Sequence, residues 1–367
     1  MRERFKTANA HLGNGLKLLT EIRPGKREEE KKRNNKLLVS TELESADDYL
    51  VEAFTRFNIH SSLFGLDTRL LYTVNSQASS ATEHSIPRAF ANFRIARLYL
   101  DSLISAIYNL SHEVASLPAP FPIPRRFTHT HSHLRTSLDQ WHQTFRTSLP
   151  TLITHSPLIA PLVSPLLQTY HIMSTILLSA SLHPRDELIY DSHTAEFTAM
   201  LAHMRGVWET ILSAHAPLGL DELPSPPGFT ADMGFIPTLF FVVLKCRVGS
   251  LRREALEGLG GAPHREGLWD GILAQEVGRR VVEIEEGWAP GGLKEIRNGV
   301  GEGGVPAEAR VYGARVVLRD GWEGKAELRY RRCGVERDDE EEEIAEVEVE
   351  FGSISSGLLG KCMFTGR

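Results

Sequence analysis

Apolar side chains recur every three or four positions along most of the chain up to Glu286, and that spacing predicts a succession of amphipathic helices. Leu12, Leu16 and Leu19 place a helix over residues 8–22, stopped by Pro24 and Gly25. Residues 24–47 are polar and read as a loop. Leu50, Ala53, Phe54, Phe57 and Leu63 predict a helix over 48–64. The strongest stripe, Phe93, Ala96, Leu100, Leu103, Ile107, Leu110 and Val114, predicts one over 89–117. Four prolines in residues 118–124 then remove backbone donors and hold the chain extended. Further helices are expected over 133–149 and over 161–181, the latter with Leu162, Leu166, Tyr170, Met173, Leu177 and Ala180 inward. Residues 194–215 follow, with Phe197, Met200, Leu201, Met204, Val207, Trp208 and Ile211 as the stripe. The prolines of 224–228 mark a loop, residues 235–245 are apolar all round and read as a buried helix, and 250–256 and 268–286 continue the helical pattern.

Beyond Trp288 the pattern changes. Residues 287–304 hold seven glycines and read as a flexible connector. Residues 315–318 and 326–332 flank Asp-Gly-Trp-Glu-Gly, a hairpin signal, and residues 344–351 alternate, with Val347, Val349 and Phe351 set against Glu346, Glu348 and Glu350. The expected fold is therefore mainly α, an antiparallel helical array with a small C-terminal antiparallel β-sheet. The expected divisions are a charged, partly helical segment over 1–47, a helical domain over 48–287, the connector over 288–305, and a small sheet with an acidic loop at 338–343 over 306–367.

The chain has 367 residues, 41% hydrophobic and 8% aromatic, enough to bury a core. Charge is unevenly spread. Residues 1–36 carry 11 Lys or Arg against five Glu, residues 320–350 carry 13 acidic side chains against five basic, and no lysine occurs between Lys36 and Lys245. A formal net charge of −6 advertises no nucleic-acid field, and the mixed-sign run Lys26–Lys36 has no aromatic to stack on bases. No apolar segment reaches the roughly 20 residues a membrane span needs, and the charged start is not followed by the core of a secretory signal. A soluble, intracellular protein is expected. Its three cysteines, Cys246, Cys333 and Cys362, are too few and too scattered for a disulfide framework or a thiolate zinc site.

Catalytic motifs fare poorly. Gly299-Val-Gly-Glu-Gly-Gly304 spells a dinucleotide fingerprint without the preceding strand and following helix that would present a pyrophosphate to a helix N-terminus. His112-Glu113 lacks the second histidine of a zinc-protease helix, because position 116 is serine. His129, His131 and His133 would face one side of an extended segment and could there hold zinc or copper. No carboxylate or thiol joins them before Asp139, and a loop with a helical first turn is the expected setting. No nucleophile elbow, phosphate loop or kinase signature occurs. Neither catalysis nor a cofactor or metal is expected.

Several segments nonetheless carry a resemblance. Ala10-His-Leu-Gly-Asn-Gly-Leu-Lys-Leu-Leu19, Phe93-Arg-Ile-Ala-Arg97, and above all Lys245-Cys-Arg-Val-Gly-Ser-Leu-Arg-Arg-Glu-Ala255 with Pro263-His-Arg-Glu-Gly-Leu-Trp-Asp270 are similar to signatures of one domain. That domain is the C-terminal regulatory domain of fungal binuclear-zinc-cluster transcription factors, and the resemblance runs from about His11 to about Tyr330. It implies a regulatory role in the nucleus, exercised through contacts with the transcription machinery or with full-length relatives, as a homodimer or heterodimer. The family's DNA-binding module needs six closely spaced cysteines, so no direct DNA contact is carried over to this chain, which reads as a fragment or as a relative lacking that module. Arg247, Arg252, Arg253 and Arg265 lie among Glu254, Glu266 and Asp270. Guanidinium forks there can fix a turn between helices by bidentate pairing, or form an anion or effector site. A cytosolic helical scaffold is the alternative to the transcriptional reading.

Overall fold

The structure is a computed structural model. It describes Asn14 and residues 36–42, 45–63, 71–75, 86–117, 122–215, 234–261, 265–267, 269–287, 305–318, 325–333 and 342–348. The expected helix over 8–22 apart from Asn14, the Gly-rich connector beyond Gly287 with its GxGxxG, the loop at 224–228, most of the acidic loop, and Val349, Phe351 and Cys362 lie outside those residues. The chain divides into two compact units, residues 3–184 and 185–367, a boundary that falls inside the stretch 48–287 read as one helical domain.

The first unit opens with β1 (Lys36–Ser40) and β2 (Leu71–Asn75), paired in parallel and joined through α1 (Ala46–Leu63). The expected loop over 24–47 thus ends in a strand. Its run Leu-Leu-Val is too short to show a period, and only a partner 35 residues away in the register Lys36↔Leu71 makes it a strand. Ser45 and Asp48 cap α1 reciprocally, the Ser45 backbone N–H donating to Asp48 and the Asp48 N–H to Ser45 Oγ.

Three long helices follow: α2 (Phe93–Ala115), α3 (Arg125–His155) and α4 (Ala160–Ala180). Asn92 caps α2 by accepting from the Ile95 N–H at 2.9 Å. Cross-links show the packing to be antiparallel. Trp141 Nε1 donates to Ala96 O at 2.7 Å and the Phe90 N–H donates to Ser148 Oγ at 2.9 Å, so rising numbers on α3 meet falling numbers on α2. His131 meets Leu178 O and His171 meets Leu138 O in the same sense between α3 and α4. Phe90, Phe93, Trp141 and Phe145 form the centre, with the Trp141 and Phe145 rings stacked at 4.9 Å.

Two expectations change here. α3 begins at Arg125 rather than 133, so the histidine run is wound into a helix. His129 is exposed and one turn from His133, while His131 points the other way onto Leu178, and the three rings cannot converge as an extended segment would allow. On α4, Leu162 is exposed and Leu166 and Leu177 are half-buried, while Ser164, Leu167, Thr169, Ser174, Ile176 and Leu178 go inward. Small hydroxyl residues suit a helix pressed by two neighbours, because Thr169 and Ser174 satisfy themselves on the carbonyls of Pro165 and Tyr170.

The second unit starts with a 3-10 turn (Glu187–His193) that runs into α5 (Thr194–His215). α6 (Ile236–Lys245), α7 (Gly249–Gly260) and α8 (Gly271–Glu286) pack mutually, and α5 lies against α7. α6 is buried all round from Ile236 to Val243, as its sequence demands. A two-residue turn joins β3 (Arg265–Glu266) to β4 (Trp269–Asp270) just before α8. Gly267 in that turn has φ +60°, a conformation other residues resist. β5 (Val311–Leu318), β6 (Lys325–Arg332) and β7 (Glu343–Glu348) form an antiparallel sheet in that order, with Val316, Ala326, Leu328, Ala345 and Val347 buried. The whole is mainly helical with a small C-terminal antiparallel sheet, as expected. Among the described residues no helix is long and apolar enough to cross a membrane.

Candidate functional site: the arginine signature and its buried ion cluster

The last turn of α6 and the link to α7 carry Lys245, Cys246 and Arg247, and α7 presents Arg252 on its inner face. Arg247 and Arg252 have 6% and 1% of their surface exposed, so both guanidinium groups must be matched inside the protein. Their common partner is Glu285, from the last turn of α8 and 1% exposed. Arg247 Nη2 donates to Glu285 Oε1 at 2.8 Å and Arg252 Nη2 to Glu285 Oε2 at 2.5 Å. Arg252 Nε also donates to Val243 O, Arg247 Nη1 to Lys245 O, and the Val311 N–H to Glu285 Oε1, each at 2.8 Å. A second carboxylate, Glu187, lies 2.9 Å from Arg247 Nη1 and 2.5 Å from Lys245 Nζ, which also sits 4.8 Å from the centre of the Tyr190 ring. Arg310 extends the cluster. It clasps Asp191 in a two-point fork at 2.9 and 2.7 Å and donates to the carbonyls of Val305 and Glu187.

The electrostatics follow from the pairing. Burial pushes the Glu285 carboxyl up, but Arg247, Arg252 and the Val311 N–H overbalance it and hold it below the usual carboxylate range. Burial opposes the charge on Lys245 and Arg247 too, yet the carboxylates beside them keep both above their ordinary values. Arg252 is drawn down by burial, which together with the neighbouring Arg247 outweighs the pull of Glu285 and Glu286. Burial raises the thiols of Cys246 and Cys333, so neither is an activated thiolate. The cluster joins the Glu187 turn, α6, α7, α8 and the start of β5. Chemically it does what a clamp does. Among the described residues both Glu285 oxygens and Glu187 Oε1 accept from internal donors, while Glu187 Oε2 lies beside Arg247 as an ion-pair contact without a hydrogen bond, and Arg247 Nε and Arg252 Nη1 donate none.

The four signature arginines do not gather in one place. Arg253, on the outer face of α7, is exposed. Arg265 is half exposed and donates to Asp270 at 2.8 Å. The carboxylates expected beside them have other duties. Glu254 pairs with Arg205, and Asp270 caps α8 by accepting from the Leu273 N–H at 3.1 Å. Glu266 accepts from the backbone N–H groups of Gly234, Phe235 and Ile236 at 2.8, 3.1 and 3.0 Å, closing the N-terminus of α6. Trp269 is 1% exposed and packs on Phe240 at 5.3 Å. Arg247, Arg252, Arg265, Glu254, Glu266, Trp269 and Asp270 therefore read as architecture, and Arg253 stands at the surface. Glu187 and Tyr190 were missed in the sequence, since partners far away in the chain give no periodic signal, and Arg310 lay in the resembling stretch without its partners being visible. Glu285 lay in the resembling stretch without its role being visible. Among the described residues no group of three or more His, Cys, Asp or Glu could hold a metal ion.

This is a mainly helical protein in which two of the four signature arginines, Arg247 and Arg252, are knit into the interior. Over 62 residues it is 34% identical to the aspercryptin biosynthesis cluster-specific transcription regulator atnN of Emericella nidulans (strain FGSC A4), a match covering 17% of this chain and 10% of that protein. Over that segment the chain is similar to a fungal transcription regulator, and it spans only about a tenth of that relative's length. No known family profile matches the chain, and no solved structure matches it.

Proposed function

We propose that the chain is a regulatory region of a fungal-type transcription factor, working in the nucleus through protein contacts. Its partners on this reading are components of the transcription machinery or full-length relatives, met as a homodimer or heterodimer, and its task is to restrain or release activation. The likeness to a fungal cluster-specific transcription regulator carries the reading. The signature at 245–270 supports it by resembling the zinc-cluster family's regulatory domain. Its buried clamp gives the signature a structural reason, as expected of a domain that acts by its surface. With three cysteines in the whole chain, DNA contact by a six-cysteine cluster is not part of the proposal. Nor is catalysis.

Fusion of the full chain to a heterologous DNA-binding domain tests it. The fusion is expected to change expression of a reporter bearing the matching site, up or down, and a surface-preserving control with Glu285→Ala is expected to lose the effect along with the fold. A well-expressed, folded fusion that leaves the reporter unchanged would favour the scaffold reading.

A further inference from the structure

In the first unit the α3–α4 hairpin ends in an apolar tip that the described residues of that unit leave exposed. Leu158 is 90% exposed, Ile159 48%, Ile153 45% and Leu162 37%, all within ten residues of chain around the turn. Isolated exposed leucines are ordinary, but four together on one turn are a patch. The turn itself is hydrogen-bonded. The Ala160 N–H donates to Ser156 O at 3.0 Å and the Val163 N–H to Ile159 O at 2.9 Å, bonds that tie the turn to the start of α4.

The same hairpin has an unusual charge. Residues 125–180 contain four arginines, one aspartate, six histidines, and neither lysine nor glutamate. Arg135, Arg146 and Ile153 are spaced by 11 and seven residues, close to whole helical turns, and all three are exposed. They form a stripe along α3 with Arg146 about 10 Å and Arg135 about 27 Å from the apolar tip, measured by helical rise. Asp139 lies between them as the one opposing charge. α4 starts at the tip with no acidic side chain in its first turn to offset its dipole. A second copy laid on this face would bring arginines to arginines.

We infer that the α3–α4 tip and the Arg146–Arg135 stripe form a docking surface for an acidic, leucine- or phenylalanine-bearing segment of a protein partner. Apolar side chains of the partner would seat on Leu158, Ile159 and Leu162, and its carboxylates would run along the arginine stripe, which sets direction and on-rate. The surface stands on the first unit alone and does not depend on the transcriptional reading.

The test uses the purified full chain and a short fluorescent peptide that alternates Asp or Glu with Leu and Phe, followed by anisotropy. Two control peptides replace the acids by Lys, or the Leu and Phe by Ala. Saturable binding of the acidic, apolar peptide is expected, weakening with rising salt, with both controls much weaker. The pair Leu158→Asp/Ile159→Asp and the pair Arg135→Glu/Arg146→Glu should each lower affinity about tenfold or more, whereas Ile344→Asp, also at an exposed position, should leave it unchanged. All these sites are exposed, so circular dichroism should confirm intact folding. No binding by the unaltered chain, equal binding of the Lys peptide, or undiminished binding by the tip and stripe variants would overturn the inference. So would a dimer of the free chain that the tip variant dissolves, which would give the face to a second copy.

Discussion

Glu285 accepts hydrogen bonds from Arg247, Arg252 and the Val311 backbone while almost wholly out of water, so its removal takes from Arg252 its hydrogen-bonded carboxylate and leaves Arg247 to share Glu187 with Lys245. Glu285→Ala is expected to destabilise the second unit by about 3 kcal/mol or more, as for other buried pairs broken on one side, read from urea unfolding. Arg253→Ala, in the same run of sequence but at the surface, should fall within about 0.5 kcal/mol of the parent. Equal effects for both would mean that burial does not distinguish them. His171 makes the complementary case. Burial, then the neighbouring His142 ring, push its pKa down from 6.5 to about 4 against the hydrogen bond its N–H donates to Leu138 O. The unfolded chain takes up a proton as pH falls below about 6.5, and the folded chain only near 4. Stability present above the first value is therefore lost toward the second, roughly 3 kcal/mol in all. Unfolding followed through Trp141, which stacks on His171 at 5.4 Å, should show that loss, and His171→Asn should flatten it. An unaltered slope in that variant would assign the titration to another group.

At the scale of elements, ends matter as much as faces. α6 is apolar along its length and has no side chain of its own to close its first turn. Glu266, 30 residues further along, supplies three acceptor contacts to that end. Glu266→Ala should cost about 2 kcal/mol, at the upper end for a helix cap because the acceptor is charged. Glu266→Gln should cost less, and thermal melts rank the two. A Cβ at Gly234 would collide with the same carboxylate, so Gly234→Ala is expected to resemble the loss of the cap. The helices α2 and α5 were legible because their apolar positions follow one period, and α6 because it is apolar throughout and follows a proline-marked loop. β1 was not, since a five-residue strand is defined by its partner. The early start of α3 was hidden as well. Its first two turns, rich in Thr, His and Arg, have almost no apolar stripe, and Phe127 is the one side chain among them that is buried.

For the molecule as a whole, each of the two units has its own core, Trp141 and Phe145 among α2, α3 and α4 in one, and the ion clamp with Trp269 and α6 in the other. Residues 3–184 expressed alone are expected to fold, giving helical circular dichroism and the blue-shifted emission of a buried tryptophan. Emission at the wavelength of a solvated indole would show that this unit lacks an independent core. What the sequence by itself determined was the class: mainly helical, a small antiparallel sheet at the end, and a run of arginines with a family resemblance. Periodicity is a local property, and local properties can be read along a chain. Which arginines are internal, and which carboxylates they meet, only the tertiary structure decided. Arg252 meets Glu285 across 33 residues and Arg310 meets Asp191 across 119. An ion pair is a matter of distance in space and exclusion of water, and neither is written in the spacing of residues.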